Sequence, residues 1–372
     1  MDRNASLIAS LRAALKKTAS FRTIVESERR LEVTGLPIEA RALLLAAMQE
    51  ATGRRTAIIT AGDAGMADLE TALRLFHQEA NCVAVYPAPT LSPYQDVAPS
   101  LGVAREEIRA LGMLIDQASD ILIVPARALF QRLPRPEAFR RRIIKLAEGE
   151  ELDLRVLLEA LVDNGFVRTD LVGEAGEFAF RGGILDLFPP NTQQPLRVEL
   201  FGDTIESLRW FDVETQRSED AAGAVTLYPL TQFPMTRETR SAVARRLSLD
   251  FMDPLYKRDV AEKIERLNEN GTFPGVEHYI PAATDSVSFA EYLTGWDIVL
   301  TEPDQIATTI AKYETLLRTE YEAASENARA VYPPEKLVTP GIEIHGFIGS
   351  ARVAMSEVHI GGPPRVIPSE VE

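Results

Sequence analysis

The sequence predicts an α/β protein in which a parallel-sheet domain is interrupted by an α+β insert carrying an antiparallel sheet. Three observations predict it. Short apolar, β-branched runs alternate with helical-period stretches through the first 140 or so residues, the pattern of successive βαβ units. That rhythm then gives way to closely spaced strand-like segments broken by Gly182-Gly183, Pro189-Pro190-Asn191 and Gly202-Asp203. A buried-strand run followed by a long polar helix returns near Trp296.

Residues 1–30 read as a polar helical extension of one or two exposed helices. A strand over 31–35 leads to a helix over 39–51, where Leu43, Leu44, Ala47 and Met48 recur at helical spacing and Gly53 closes the run. The run 56–60 is a buried strand. A helix over 66–80, a strand over 82–86, a helix over 103–118 and a strand over 120–125 follow. The insert begins at residue 143, with a helix over 153–164 and strands over 166–169, 177–181, 183–188, 196–201, 205–211 and 225–228. Gly202-Asp203 occupies a hairpin position. Helices over 238–247 and 259–270, a strand near 296–301 and a helix over 303–329 complete the first domain. The expected division is an extension at 1–30, the first domain in two pieces at 31–142 and 229–350, the insert at 143–228, and a linker at 351–372.

Bulk properties narrow the function. The 372 residues exceed one ordinary core, and 45% hydrophobic with 26% charged residues is normal for a soluble chain. No apolar run approaches the ~20 residues of a membrane span, and the N-terminus lacks a secretory apolar core, so cytoplasm and no membrane association are expected. The one cysteine, Cys82, excludes an internal disulfide and reads as a small buried hydrophobe. His77, His278, His345 and His359 are too scattered for a metal motif. A net charge of −15 repels nucleic acid unless a local basic patch is present.

A phosphate-gripping loop belongs at the first strand-to-helix turn. There the sequence places Thr34, Gly35, Leu36 and Pro37. One glycine, a proline without an N–H, and no Lys-Ser or Lys-Thr pair make it a degenerate nucleotide loop. Gly53-Arg54-Arg55-Thr56 precedes a strand instead of a helix, and Glu302-Pro303 reads as a helix start. No nucleophile elbow or zinc-protease spacing occurs. No catalytic residue, metal or cofactor is expected, and the chain reads as a non-enzyme.

The most informative segment is 176–218, GEFAFRGGILDLFPPNTQQPLRVELFGDTIESLRWFDVETQRS. Phe178, Phe180, Leu185 and Leu187 alternate as in half-buried strands. Arg181 ends one strand. Arg197 and Phe201, four apart, share a face of another because the period is two. Arginine and a large aromatic on one open face have the composition of a protein-binding hot spot. The competing reading pairs Arg197 with Glu199 or an acid on a neighbouring strand and puts Phe201 in the core.

This segment resembles the small inserted domain shared by UvrB and the bacterial transcription-repair coupling factors (the Mfd family), through GEFAFRGGILDLFPP, LRVELFGD and FDVETQRS, and is closer to the coupling factors. Thr34-Gly35 with Ala40-Arg41-Ala42-Leu43-Leu44-Leu45-Ala46, the loop from Tyr86 to Tyr94, Val124 to Gln131 and Gly275 to Pro281 are also similar, so the resemblance covers roughly 30–350. It implies a UvrB-like, degenerate P-loop/RecA-like fold that has lost its ATP grip. It implies an insert that binds UvrA through the positions matching Arg181, Arg197 and Phe201, with two arginines suited to an acidic face. RNA polymerase and DNA contacts, the ATP-driven motor and an autoinhibitory C-terminal domain that could mask the UvrA face would lie outside these 372 residues. The alternative is a UvrB-type ATP-dependent helicase or repair ATPase that binds damaged DNA.

Overall fold

A computed structural model describes residues 3–77, 82–95, 97, 100–357 and 365–368. The chain opens with α1 (Arg3–Lys16) and α2 (Ala19–Glu26). Thr18 caps α2 by accepting from the Phe21 N–H. Phe21 and Ile24 of α2 are buried against the first domain. Arg12 donates to the Phe76 carbonyl at 2.8 Å, and Lys16 meets Glu50 at 2.8 Å. The extension expected to be exposed is therefore docked along one side.

Strand β1 (Leu31–Thr34) leads to α3 (Ile38–Thr52), β2 (Thr56–Thr60), α4 (Met66–Phe76), β3 (Val83–Val85), α5 (Leu101–Ile115) and β4 (Ile121–Pro125). Gly53 ends α3 with φ 63° and returns its N–H to the Gln49 carbonyl at 2.8 Å, a left-handed cap that glycine adopts without strain. The last residues expected in α4, 78–80, lie outside the described ones. Cys82, expected inside a strand, sits half-buried one residue before β3.

A two-residue strand β5 (Arg132–Leu133) and α6 (Pro136–Arg140) precede the insert. The insert comprises β6 (Ile144–Leu146), α7 (Leu154–Asp163), β7 (Val167–Arg168), β8 (Glu177–Arg181), β9 (Ile184–Leu187), β10 (Leu196–Phe201), β11 (Thr204–Phe211), β12 (Ser218–Ala221) and β13 (Val225–Leu227). The chain returns through α8 (Arg237–Asp250), α9 (Lys257–Asn270), α10 (Ile280–Ala283), β14 (Val287–Ser288), α11 (Phe289–Tyr292) and β15 (Asp297–Thr301). It finishes with α12 (Pro303–Glu326), α13 (Pro334–Leu337), α14 (Gly341–Gly349), β16 (Val353–Ser356) and β17 (Arg365–Pro368).

The first sheet has the order β17-β1-β16-β15-β2-β4-β3, parallel except for the antiparallel edge strand β17. Strand alternation sends its side chains into two cores. Ala57, Ile59, Leu122, Val124, Ile298, Leu300 and Ala354 join the cluster under α5 and α12, while Ile58, Ile121, Ile123, Val299, Val353 and Met355 join the cluster under α3 and α4. This explains why β2 and β4 read as unbroken apolar runs: both faces are covered. The structure corrects the expected linker at 351–372. Strand β16 is internal, hydrogen-bonded to β1 on one side and β15 on the other, with Val353 and Met355 fully buried. Four residues are too few to show a period, which is why the run passed for linker. Residues 358–364, with the Gly-Gly-Pro-Pro run, and 369–372 lie outside the described ones.

The insert's antiparallel sheet has the order β12-β11-β10-β9-β8-β7, with β7 and β8 parallel. Its inner face, including Phe178, Leu185, Leu187, Leu196 and Val198, packs with Leu157 and Leu161 of α7. Strand β12 is absent from the sequence reading because all four residues are exposed and polar or small, leaving no apolar alternation to detect.

Arg142 ties together the two chain segments that enter and leave the insert. Its Nε donates to Asn164 Oδ1 at 3.1 Å, Nη1 to the carbonyls of Thr231 at 2.9 Å and Gln232 at 2.6 Å, and Nη2 to Thr231 Oγ1 at 3.0 Å. Asn164, itself buried, returns a bond to the Arg142 carbonyl at 2.9 Å. Nearby, the Tyr228 ring lies against Gly112 of α5, where a Cβ would overlap it, and its hydroxyl donates to Asp116 at 2.9 Å. Arg142→Met keeps the stem and removes every donor. Stranding these acceptors should lower stability by at least ~2 kcal/mol in chemical denaturation; an unchanged midpoint and slope would show that the knot is dispensable.

Candidate functional site

At the β1–α3 turn, Gly35 and Arg41 are both engaged within the fold. Gly35, at φ 81°, spends its N–H on the Ser356 carbonyl at 3.0 Å. Pro37 stands at the N-cap of α3 with no side-chain cap bond. Arg41, 6% exposed, donates from Nε to the Leu36 carbonyl at 2.8 Å and from Nη2 to Glu302 Oε1 at 2.6 Å. Glu302, at φ 56°, is held by its own N–H on the Met355 carbonyl at 2.7 Å and accepts at Oε1 from the Glu357 N–H at 2.8 Å. Thr34, Gly35, Leu36 and Pro37 thus border an ion pair between α3 and the start of α12. In its local sequence Glu302 reads as a helix-start acid; its partner, 261 residues away, carries no local signal.

On the insert, register decides which side chains meet. Phe178 pairs with Leu187 and Phe180 with Leu185, while Ala179 pairs with Asp186 and Arg181 with Ile184. Asp186 is opposite Arg197, and Ile184 opposite Glu199. Side chains alternate across a sheet, so Arg181, Ile184, Asp186, Arg197 and Glu199 stand on the face away from the inner core. The irregularity between β10 and β11 places Glu199 opposite Ser207 and Leu200 opposite Ile205, so the extra residue, Glu206, falls on β11. The alternation of β10 continues to its end, and Phe201 shares the outer face.

These three residues differ in their freedom. Phe201, at the Gly202-Asp203 hairpin, is 79% exposed. The reading that put Phe201 in the core does not hold. Arg181 is also largely exposed, with one loose contact to Asp170 at 3.5 Å, a pair that solvent screens. Arg197 is constrained. Its Nε and Nη2 grip both oxygens of Asp186 at 2.7 and 2.8 Å, its Nη1 reaches the Gln216 carbonyl at 3.2 Å and Ser218 Oγ at 3.4 Å, and its Cζ lies 4.9 Å from the Phe211 ring centre. The hydrogen bond to Asp186 raises the Arg197 pKa further. The expected alternative of an acid on a neighbouring strand is therefore realised for Arg197. Asp186 and Ile184, which share that face, are not among the expected site residues. The signal was available, because GGILDLF alternates and its outward positions are Ile184 and Asp186.

A cavity of about 300 Å³ lies beyond the carboxyl ends of β3 and β4, lined in part by Leu91, Glu107, Arg127, Phe233, Glu277 and Tyr313. Glu107 on its wall accepts from Gln131 Nε2 at 2.8 Å and Gln232 Nε2 at 2.9 Å, and the Tyr86 hydroxyl donates to Gln131 Oε1 at 2.5 Å. Burial pushes the Glu107 carboxyl up to about 7 against the pull of those two amides. The network joins α5, the residue after β3, the residue before β5 and the segment returning from the insert. It supplies no nucleophile beside a base. Among the described residues no group of three or more His, Cys, Asp or Glu gathers to hold a metal ion, and no helix is long and apolar enough to cross a membrane.

Residues 144–233 match the UvrB interaction domain family. Between 63% and 81% of the chain is similar to transcription-repair coupling factors. It is 32% identical to that of Myxococcus xanthus over 266 residues, covering 67% of this chain and 21% of the relative. It is 31% identical to that of Staphylococcus aureus (strain USA300) over 239 residues, covering 63% and 20%. It is 26% identical to that of Haemophilus influenzae over 307 residues, covering 81% and 26%. The chain spans about a fifth to a quarter of the length of these relatives.

The Glu107 network implies a pH dependence of stability. A carboxyl whose folded pKa is raised stabilises the fold below its unfolded pKa, and that contribution is lost as pH rises through the folded value. Between about pH 4.5 and pH 7 the chain should lose on the order of 3 kcal/mol from this group. Glu107→Gln should flatten that slope in urea denaturation at pH 5, 6, 7 and 8. A variant as pH-sensitive as the parent would assign the slope elsewhere.

Proposed function

We propose that this chain, a UvrB-like region of the transcription-repair-coupling-factor kind with a UvrB interaction domain at its centre, is a docking module that recruits UvrA through the outer face of its insert. The observation that carries this reading is Phe201, a large ring 79% exposed at a hairpin and on the same sheet face as Arg181 and Arg197. An exposed aromatic flanked by arginines has the composition of interface hot spots, and a guanidinium suits a carboxylate on the partner. The acidic chain, at −15 overall, would otherwise repel an acidic surface, so two local arginines supply both attraction and orientation.

The β1–α3 turn supports a role without nucleotide turnover. Its one turn glycine has spent its N–H, Pro37 has none, and Arg41 is neutralised by Glu302. ATP hydrolysis, DNA translocation and RNA polymerase contact are assigned to regions of a longer protein. Masking of the insert face by a C-terminal domain of that protein is its natural regulation. The site of action is the cytoplasm.

Phe201→Ala and Arg181→Glu are the clean tests, because both side chains are exposed and melting should barely change. Each should weaken UvrA binding by ~2 kcal/mol or more, about thirtyfold. Arg197→Glu should also abolish binding but will cost stability, since it sets a second acid against Asp186. UvrA affinity unaffected by both clean variants would move the interface elsewhere. In a separate titration, ATP should show no saturable binding to this chain; micromolar affinity would favour the UvrB-type ATPase.

A further inference from the structure

We infer that Asp186 is a positioning residue for partner binding, an acid that a face built to attract acids requires. The inference rests on the docking reading above and adds a residue with a counterintuitive sign. Arg197 has five N–H donors. The Asp186 fork takes one at Nε and one at Nη2, and Nη1 is directed at Gln216 and Ser218. The ring of Phe211 supports the guanidinium from one side. What remains for a partner is the second N–H of Nη2, held at a fixed place and angle on the outer face. Arg181, loosely paired and exposed, is the opposite case. It can attract a partner from a distance and must be ordered on contact.

Neighbouring acids make the point sharper. Asp186 and Glu199 both share the outer face with the arginines, and Glu199 is itself held by the Ser207 hydroxyl at 2.9 Å. Pure charge complementarity therefore predicts that removing Asp186 strengthens capture of an acidic surface. Preorganisation predicts the reverse, because a long side chain released from its fork must be immobilised again when the complex forms. The two accounts separate in the rates. Loss of an acid leaves association unchanged or faster, and loss of positioning shows in dissociation.

The test is a double-mutant cycle on the full 372-residue chain with Asp186→Asn, Arg197→Ala and both together, with UvrA binding followed by surface kinetics. Asp186→Asn should weaken binding roughly tenfold through faster dissociation, and in the Arg197→Ala background it should cost nothing further. Binding equal to or tighter than the parent's overturns the inference, as does an equal loss in both backgrounds. Phe201→Ala runs alongside. If it and Arg197→Ala both leave affinity intact, the docking reading fails; if they weaken it and Asp186→Asn does not, the positioning role alone fails. Should Asp186→Asn unfold, Asp186→Glu keeps the charge while shifting the fork, and parent-like dissociation in that variant would equally overturn the role.

Discussion

The register of β9 against β10 is the constraint on which the outer face depends. One strand pairing places Asp186 opposite Arg197 and Ile184 opposite Glu199, and in the same stroke turns Leu185, Leu187, Leu196 and Val198 inward. A slip of one residue would exchange the two faces, burying the arginine and exposing the leucines. The hydrophobic core of the insert thus fixes which side chains share the polar face. The bulge at Glu206 falls on β11, so the face keeps its alternation out to Phe201 at the hairpin.

The first domain solves a different problem with the same alternation. Its central strands feed two cores, one on each side of the sheet, so the sheet is buried on both faces. A sheet of this kind commonly presents ligands at the carboxyl ends of its strands. Here the Arg41–Glu302 pair lies beyond the carboxyl end of β1. Arg142 and the Tyr228 ring against Gly112 tie the insert to the first domain at its base.

Much of this was legible in the residues. Apolar runs such as Thr56–Thr60 and the helix closed by Gly53 follow from period and capping alone. The strands of the insert follow from alternation, and so does the shared face of Arg197 and Phe201. What was not legible had no periodic signal. Strand β12, Ser-Glu-Asp-Ala, has no buried side chain. Strand β16 is four residues long, and its place between β1 and β15 comes from pairing with strands more than 50 and 300 residues away. The partner of Arg41 is equally remote. The state of Arg197 was legible only as a choice between a partner-facing and a self-paired residue. The structure shows it paired to Asp186 on the neighbouring strand, as the self-paired alternative had it, while Phe201 is exposed, against that same alternative.

Amide hydrogen exchange of the chain, alone and saturated with UvrA, reads the central claim most directly. Docking on the outer face predicts slowed exchange in 181–184 and 197–204, with 34–41 and the segments of α7 unchanged. Protection confined to α7, β6 and β13, or spread over the first domain while the 197–204 hairpin exchanges as before, would contradict it.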